Sequence, residues 1–335
     1  MMFKESQDAI QKKWKDPEIK VSICCITYNH EKYIAEALDS FLAQQTNFAF
    51  EILIGEDKGT DNTLSIINEY KNKFPGIINV ITSETNLGAN GNIRNVIANA
   101  KGDYIAFCEG DDYWLDRDKI QKQYDLLMKN PDCKFAFHPA YALHPDNSRV
   151  KRFFKGENVQ RFSVVDVLNT NGQFSPTSSY MFKKEVVTTL PSWFEDAPVG
   201  DLFIELYAMK DSDGIYLPST MSVYRLFADN SWSSELKKDF TKNIETQKKI
   251  IKYTEICLSD FVKYEDIFKL RISRIYCDIA TKFLLRKEYI QFKLFLEQSY
   301  LYHRSSSSKQ KLYSKLKHVP HILYYFHKIK SLLNK

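Results

Sequence analysis

Glycine is scarce in this 335-residue chain, with 11 in all and none after Gly214. None falls in Thr27-Tyr28-Asn29-His30-Glu31-Lys32, just after the first strand-like run. A nicotinamide-binding fold needs a Gly-rich turn there, so that reading is weak. A nucleotidyltransferase is disfavoured as well, because its first loop is usually Gly-rich and basic. The six cysteines form no C-x-x-C pair, which leaves zinc ribbons and thioredoxin-like sites unsupported. Cys24, Cys25 and Cys108 stand in apolar runs and read as buried, reduced thiols of a reducing compartment. No run of about 18 apolar residues occurs, so no membrane-spanning helix is expected. The opening MMFKESQDAIQKKW lacks the apolar core of a signal peptide, and a cytoplasmic location is expected. The net charge of +5 is mild, and no basic run interleaved with aromatics precedes the C-terminus. No nucleic-acid partner is therefore expected.

What is present suits a globular chain. Hydrophobic residues make up 44% and charged residues 27%, enough for a sizeable core. Strand and helix signals alternate in the first half. Val21–Thr27, Phe50–Gly55, Ile77–Thr82 and Tyr104–Cys108 are short apolar runs of the kind buried on both faces of a sheet. Helical spacing marks Lys32–Gln44, Asp61–Phe74 (with Thr60 or Asp61 as N-cap) and Ile93–Ala100 between them. Repeated units of this length predict an α/β fold, a mostly parallel sheet with helices on both faces. Beyond Asp112 the pattern loosens. Helices are expected at Asp116–Lys129 and Gly200–Met209, and strands at Lys134–His138, Phe174–Phe182, Gly214–Leu217 and Met221–Leu226. From about Leu236 the chain turns Lys-rich and helical.

Parallel sheets bind ligands outside the carboxyl ends of their strands. The segments at those ends are Thr27-Tyr28-Asn29, Glu56-Asp57, Glu84-Thr85-Asn86 and Glu109-Gly110-Asp111-Asp112, and three of the four carry acids. Like charges repel, so a purely structural edge has no reason to gather them. Glu109, Asp111 and Asp112 fall within four residues. Hard divalent cations take oxygen ligands and commonly bridge one or two carboxylates to substrate phosphates, so Mn²⁺ or Mg²⁺ is the expected cofactor.

These segments resemble glycosyltransferase family 2. VSICCITYNHEKYIAEALDSFLAQ resembles its opening strand and helix, and EILIGEDKGTDNT its V-D-D-G-S-T-D-x-T segment. TNLGANGNIRN is similar to N-x-G-x-x-x-A-R-N, and AFCEGDDYW to the segment that carries the DxD motif. The resemblance covers residues 20–115 closely and extends more weakly to about residue 230. It implies a GT-A fold, a Rossmann-like sheet with a nucleotide half and an acceptor half, and an inverting transfer from a nucleotide-sugar. By the same resemblance, Thr27, Tyr28 and Asn29 flank the nucleobase and Asp57 accepts from it, uracil N3–H being the usual donor. Arg94 approaches the base or pyrophosphate. Glu109 and Gly110 lie at the ribose or metal shell. Asp111 is the principal metal ligand, supported by Asp112. Three departures stand out: Ile26 for Pro, Lys58-Gly59 for Gly-Ser, and Glu109 for the first Asp of DxD.

Inverting transfer needs one base, which the family places at the start of a downstream helix. Asp201, entering LFIELYAM through Gly200, fits that place, with Glu195 and Asp196 as rivals. Thr177 and Ser178 are candidates for the acceptor pocket. Arg225 is a candidate for the diphosphate, in a segment whose usual His is replaced by Phe227. The expected organisation is a lead-in at 1–19, a nucleotide-sugar half at 20–115, an acceptor half at 116–235 and a helical region at 236–335. No Asp or Glu occurs from Arg304 to Lys335. Ile322, Phe326, Ile329 and Leu333 share a helical face there, so peripheral contact with an anionic membrane is a further expectation, alongside a saccharide or lipid-linked acceptor. The rival of a different class is a non-catalytic binding module of the same fold, which the acids at 57, 111 and 201 oppose.

Overall fold

Seven consecutive buried residues, Val21 to Thr27, need cover on both faces. The computed structural model describes residues 3–226 and 238–333, and side chains as far as Ile329. In it this run is the second part of a twelve-residue strand, β1 (Asp16–Thr27). The strand begins inside the stretch expected as a lead-in, after a short helix α1 (Gln7–Gln11). Then follow α2 (Ile34–Leu42), β2 (Phe48–Glu56), α3 (Thr63–Lys73), β3 (Ile78–Thr82), α4 (Gly88–Ala98) and β4 (Tyr104–Glu109). β3, β2, β1 and β4 lie side by side in that order, all parallel. The crossovers depart in opposite directions on the two sides of β1. A crevice therefore opens at the carboxyl ends of β1 and β4.

α3 is not capped by Thr60 or Asp61. Asn62 stands at its N-cap without a side-chain cap bond. Asp61 accepts instead from the N–H groups of Thr63 (2.9 Å) and Glu31 (3.0 Å), which ties the loop after β2 to the loop after β1.

The second half contains β5 (Tyr113–Trp114), α5 (Lys119–Lys129), β6 (Phe135–Phe137), β7 (Ala140–Leu143) and β8 (Arg149–Arg152). It continues with β9 (Gln160–Phe162), α6 (Val164–Asn169), β10 (Met181–Lys183), α7 (Glu185–Thr188), α8 (Asp201–Ala208), β11 (Gly214–Tyr216) and β12 (Ser222–Arg225). The main sheet extends as β4-β10-β6-β11-β9, with β10 antiparallel to both of its neighbours. A second sheet runs β5-β12-β7-β8. The strand expected at Phe174–Phe182 is mostly a turn. Pro176 offers no N–H, Ser179 N–H returns to Pro176 O at 2.9 Å, and Thr177–Ser179 forms a single 3₁₀ turn. Only Met181–Lys183 joins the ladder.

The chain divides into two units, Met1–Glu235 and Leu236–Lys335. The second consists of α9 (Phe240–Leu258), α10 (Glu265–Leu285), α11 (Tyr289–Tyr302), α12 (Ser308–Leu316) and α13 (Pro320–Leu333). Its core includes Ile272, Leu284, Phe292, Leu296, Tyr313 and Leu323. α13 buries Leu323 there and leaves Ile322, Tyr325, Phe326 and Ile329 about half exposed (49–58%). The side chains of Lys330 and Leu333, and the whole of Lys335, lie outside the described residues. Among the described residues no helix is long and apolar enough to cross a membrane. All six cysteines are buried and unbridged.

Candidate active site

The loop after β1 turns at Asn29, whose backbone takes the left-handed conformation (φ 56°) that Asn tolerates better than most residues. Asn29 Oδ1 accepts from Thr60 N–H at 2.7 Å. Tyr28 beside it is 47% exposed, an open aromatic face at the strand end. Thr27 is buried, and its hydroxyl faces Gly110. A Cβ at position 110 would lie 2.8 Å from Thr27 Oγ1 and 3.1 Å from His30 Nδ1, so only glycine lets the acidic loop close onto β1. Gly110 N–H then reaches Ile26 O at 2.9 Å.

Asp57 follows the end of β2. Its N–H donates to Thr27 O at 3.0 Å, and its carboxylate accepts from Leu87 N–H at 2.7 Å, at the entry to α4. Burial raises its carboxyl above the ordinary range, while the N–H groups of Leu87 and Gly88 hold it down. Lys58, where the family carries Gly, enters the left-handed region (φ 61°), and Gly59 N–H closes the turn on Glu56 Oε1 at 2.6 Å.

Glu109 ends β4, partly open to solvent, and its Oε2 accepts from Thr177 Oγ1 at 2.8 Å. Burial, with the charges of Asp111 and Asp201, pushes its carboxyl up to about 7 against the pull of Thr177. Asp201 is thus near enough to be felt, although 92 residues separate the two in sequence. Asp112 is fully buried. Its Oδ1 accepts from Arg225 N–H at 2.9 Å, and its Oδ2 has no partner among the described residues. Burial, then Asp111 and Glu109, raises its carboxyl well above the usual range. Among the described residues no three His, Cys, Asp or Glu side chains converge as a ready-made metal cage. Carboxylate oxygens crowded at one strand end, one of them orphaned, nevertheless fit a hard dication that completes its shell with phosphates and water.

Asp201 is the first residue of α8, and its Oδ1 accepts from Leu202 N–H at 2.7 Å. Asn90 of α4 holds the approach to it, donating to Phe194 O (3.0 Å) and Ala197 O (2.8 Å). Gly200 packs against the same side chain. A Cβ there would meet Asn90 Oδ1 at 2.3 Å, so the entry to α8 requires glycine.

Three of the candidate residues meet other protein groups in this structure. Arg94 was expected at the base or pyrophosphate. Its guanidinium instead binds Leu190 O and Pro191 O (3.2 and 2.8 Å) and lies 2.8 Å from Glu195 Oε1. The α4 face that carries it points to the loop before Asp201, so Arg94 braces that loop, and the rival acid Glu195 is already paired. Arg225 was expected at the diphosphate. Its guanidinium lies between the rings of Tyr33 (5.1 Å) and Tyr113 (5.0 Å) and pairs with Glu36, leaving its backbone N–H to support Asp112. Ser178 was expected to line the acceptor pocket. It is wholly buried, and its hydroxyl donates to Ser222 Oγ at 3.1 Å. Phe227 lies outside the described residues.

The family model for glycosyl transferase family 2 matches residues 22–190, about half of the chain and nearly all of the segment that builds this edge. The chain belongs to glycosyl transferase family 2. An uncharacterized protein of Mycobacterium tuberculosis (strain H37Rv) is 37% identical over 218 residues, which span 64% of this chain and 61% of that protein. The poly(ribitol-phosphate) beta-glucosyltransferase of Bacillus spizizenii is 38% identical over 114 residues, 33% of this chain and 18% of that enzyme. The chain thus spans about three fifths or less of the curated relatives it matches. Staphylococcus aureus TarS residues 1–349, solved with UDP-GlcNAc, superposes with a TM-score of 0.63 at 18% identity, over 90% of this chain and 86% of that one. The Pyrobaculum calidifontis mannosyltransferase PcManGT, solved with GDP-Man and Mn²⁺, gives 0.55 at 13% identity, over 94% and 89%. The fold is accordingly GT-A, with a helical C-terminal region.

Sequence reasoning did not single out Glu205, which follows Asp201 by one helical turn, or Asn90, which braces the approach to α8. Glu205 is the one acid in the apolar run Leu202–Ala208, four residues after Asp201, and that isolation was the available signal. Asn90 lay inside the quoted TNLGANGNIRN segment, but nothing local says that its partners are 104 and 107 residues away.

Proposed function

We propose that this chain is an inverting glycosyltransferase that moves a sugar from a UDP-sugar to a hydroxyl of a saccharide or lipid-linked saccharide acceptor, in the assembly of a bacterial surface polysaccharide. The observation that carries the reading is the hydrogen bond from Thr177 to Glu109 at the end of β4, beside an acidic loop whose Glu109 carboxyl also feels the charge of Asp201. It joins the acidic loop of the donor half to the acceptor half. A donor-binding module alone has no need of that junction.

In this reading the ring of Tyr28 and the carboxylate of Asp57 receive the base, with Thr27 and Asn29 shaping the loop beneath it. Asp111, more open than Gly110 and Asp112, would hold Mn²⁺ or Mg²⁺ together with Asp112, with Glu109 beside the ribose. The metal would neutralise the diphosphate. Asp201 takes the proton from the acceptor hydroxyl as that oxygen attacks the anomeric carbon from the face opposite the nucleotide, and the bond from that carbon to the diphosphate breaks so that UDP leaves with the electron pair. The nearby N-terminus of α8 favours its ionised form. The UDP-GlcNAc complex of TarS and the Mn²⁺ complex of PcManGT support the donor class and the metal.

The tail is proposed to rest on the inner face of the cell membrane. The segment 304–335 holds eight Lys or Arg and no acid, and α13 leaves Ile322, Phe326 and Ile329 uncovered. Removing the tail outright would expose Tyr313 and Leu323 partners in the helical core. The fair test is therefore Ile322→Glu with Phe326→Glu, expected to abolish sedimentation with phosphatidylglycerol vesicles while leaving donor turnover in solution intact. Sedimentation equal to wild type removes the membrane reading.

The enzymatic reading is tested by incubating the protein with Mn²⁺ or Mg²⁺ and a panel of UDP-, GDP- and dTDP-sugars with candidate acceptors, then determining the anomeric configuration of any product. Inversion from a UDP-sugar is expected. Retention overturns the mechanism, and transfer only from a GDP- or dTDP-sugar overturns the donor.

A further inference from the structure

Glu205 is 1% exposed and sits one helical turn after Asp201. Its Oε1 accepts three hydrogen bonds: from Ser175 N–H at 3.0 Å, Ser175 Oγ at 2.6 Å and Tyr180 Oη at 2.7 Å. These donors bracket the Thr177–Ser179 turn. Two residues on from Ser175, Thr177 Oγ1 donates to Glu109 Oε2 at 2.8 Å. A continuous line of hydrogen bonds and short covalent links thus runs from α8 through the turn to the end of β4.

A buried acid is costly, and replacing buried polar groups by apolar ones of the same shape is often neutral or stabilising. A helix that needed only to fill the core would carry Leu at this position, as it does at 202 and 206. The groups facing Glu205 are Asp201 on its own helix, Ser175 and Tyr180 on the turn segment, and Lys155 from the connection between β8 and β9. Lys155 Nζ stands 3.7 Å from the centroid of Phe174. Burial first, then Asp201, pushes the Glu205 carboxyl up to about 8, against the pull of Ser175 and Tyr180.

We infer that Glu205 is a positioning residue for sugar transfer. It clamps the Ser175–Tyr180 segment, so that Thr177 holds Glu109 in place, and α8 thereby sets both its own Asp201 and the acid at the end of β4. The inference rests on the glycosyl-transfer reading above. Every contact it uses is intramolecular, so it also predicts effects that do not depend on which sugar is moved.

The test compares wild type, Glu205→Gln, Glu205→Met, Thr177→Val and the pair Glu205→Met/Thr177→Val in the full chain, using the donor and acceptor found by the screen. Glu205→Gln keeps the oxygen that accepts all three bonds and should stay within about threefold of wild-type kcat. Glu205→Met keeps the volume but loses the acceptor. Its kcat should fall about 10–100-fold, the usual effect of removing a group that orients a site residue. Its Kd for UDP should stay within about twofold, because the base contacts are elsewhere. Thr177→Val should lower kcat in the same way, and the pair should cost no more than the worse single change, since both break one line. Ser175→Ala and Tyr180→Phe remove one donor each. They should show smaller losses in the same direction, and they carry the test if the Met variant does not fold. A folded Glu205→Met with wild-type kcat overturns the inference, as does Glu205→Gln failing as badly as Met, or losses that multiply in the pair. A wild type that transfers no sugar from any donor fails the glycosyl-transfer reading. An active wild type insensitive to Glu205→Met fails only the present one.

Discussion

The two sides of the main sheet are built differently. On the side proposed to take the nucleotide, β1 and β2 have 12 and 9 residues, parallel and covered by α2, α3 and α4. On the side proposed to take the acceptor, β6, β9, β10 and β11 have three residues each. Backbone ladders hold the first side. Side-chain bonds over long sequence separations hold the second: Glu205 to Ser175 and Tyr180, Asn90 to Phe194 and Ala197, Arg94 to Leu190 and Pro191, and Trp114 Nε1 to Ser178 O at 2.8 Å. A ladder gives a strand end that varies little with the side chains around it, which suits a constant ligand such as a nucleotide. Turns held by single side chains are easily reshaped, which suits an acceptor that differs from enzyme to enzyme.

The contrast is sharpest where chemistry and binding separate. Asp201→Asn keeps shape but cannot take a proton, so transfer should drop about 10²–10⁴-fold while UDP and metal affinity hold. Normal transfer by this variant would move the base to Asp196, because Glu195 is paired with Arg94. Asp111→Ala strikes the nucleotide side. Turnover should fall about 10²–10³-fold, and isothermal titration should show UDP binding that no longer responds to Mn²⁺. Metal-dependent binding in that variant would remove Asp111 from the metal site. Asp57→Ala should weaken UDP about tenfold with little change in kcat, because the residue meets the base and not the reacting carbon. A kcat loss larger than the Kd change would blur the division between the two sides.

The smallest effect concerns Lys119, buried in the second half with its ammonium 4.1 Å from the Trp114 ring and no hydrogen-bond partner among the described residues. Burial lowers it from 10.5 to about 7. The unfolded chain therefore binds more protons between those values, and wild-type stability should rise as pH climbs from about 7 toward 10.5. Lys119→Met should flatten that slope and raise the thermal midpoint near pH 7. An unchanged slope would mean that Lys119 stays charged in the fold.

Legibility in the sequence follows the same divide. The runs VSICCIT, FEILIG, IINVIT and YIAFC each place a strand by local hydrophobicity alone, and the acids after three of them mark the candidate edge. The run at Phe174–Phe182 looked equally strand-like, but Pro176 and the local serine bonds made a turn of it. Arg94 and Arg225 were read as ligand-facing because they fall within or beside family motifs, yet their guanidinium groups meet carbonyls, rings and acids from remote segments. A planar group with five donors will satisfy them within the protein when suitable acceptors are near, and nearness in space is not written locally.

The sequence by itself determined much of the first half: its alternating strands and helices, its family and the carboxylates after its strands. Those features depend on side-chain periodicity and on contacts a few residues apart. Only the tertiary structure let the charge of Asp201 act on Glu109, gave Thr177 its acid and closed Glu205 on Ser175. Each of these pairs joins elements whose meeting is set by how β10 enters the sheet beside β4 and how α4 braces the approach to α8. Such placements arise from the packing of the whole unit, where many weak contacts decide together what no single stretch encodes.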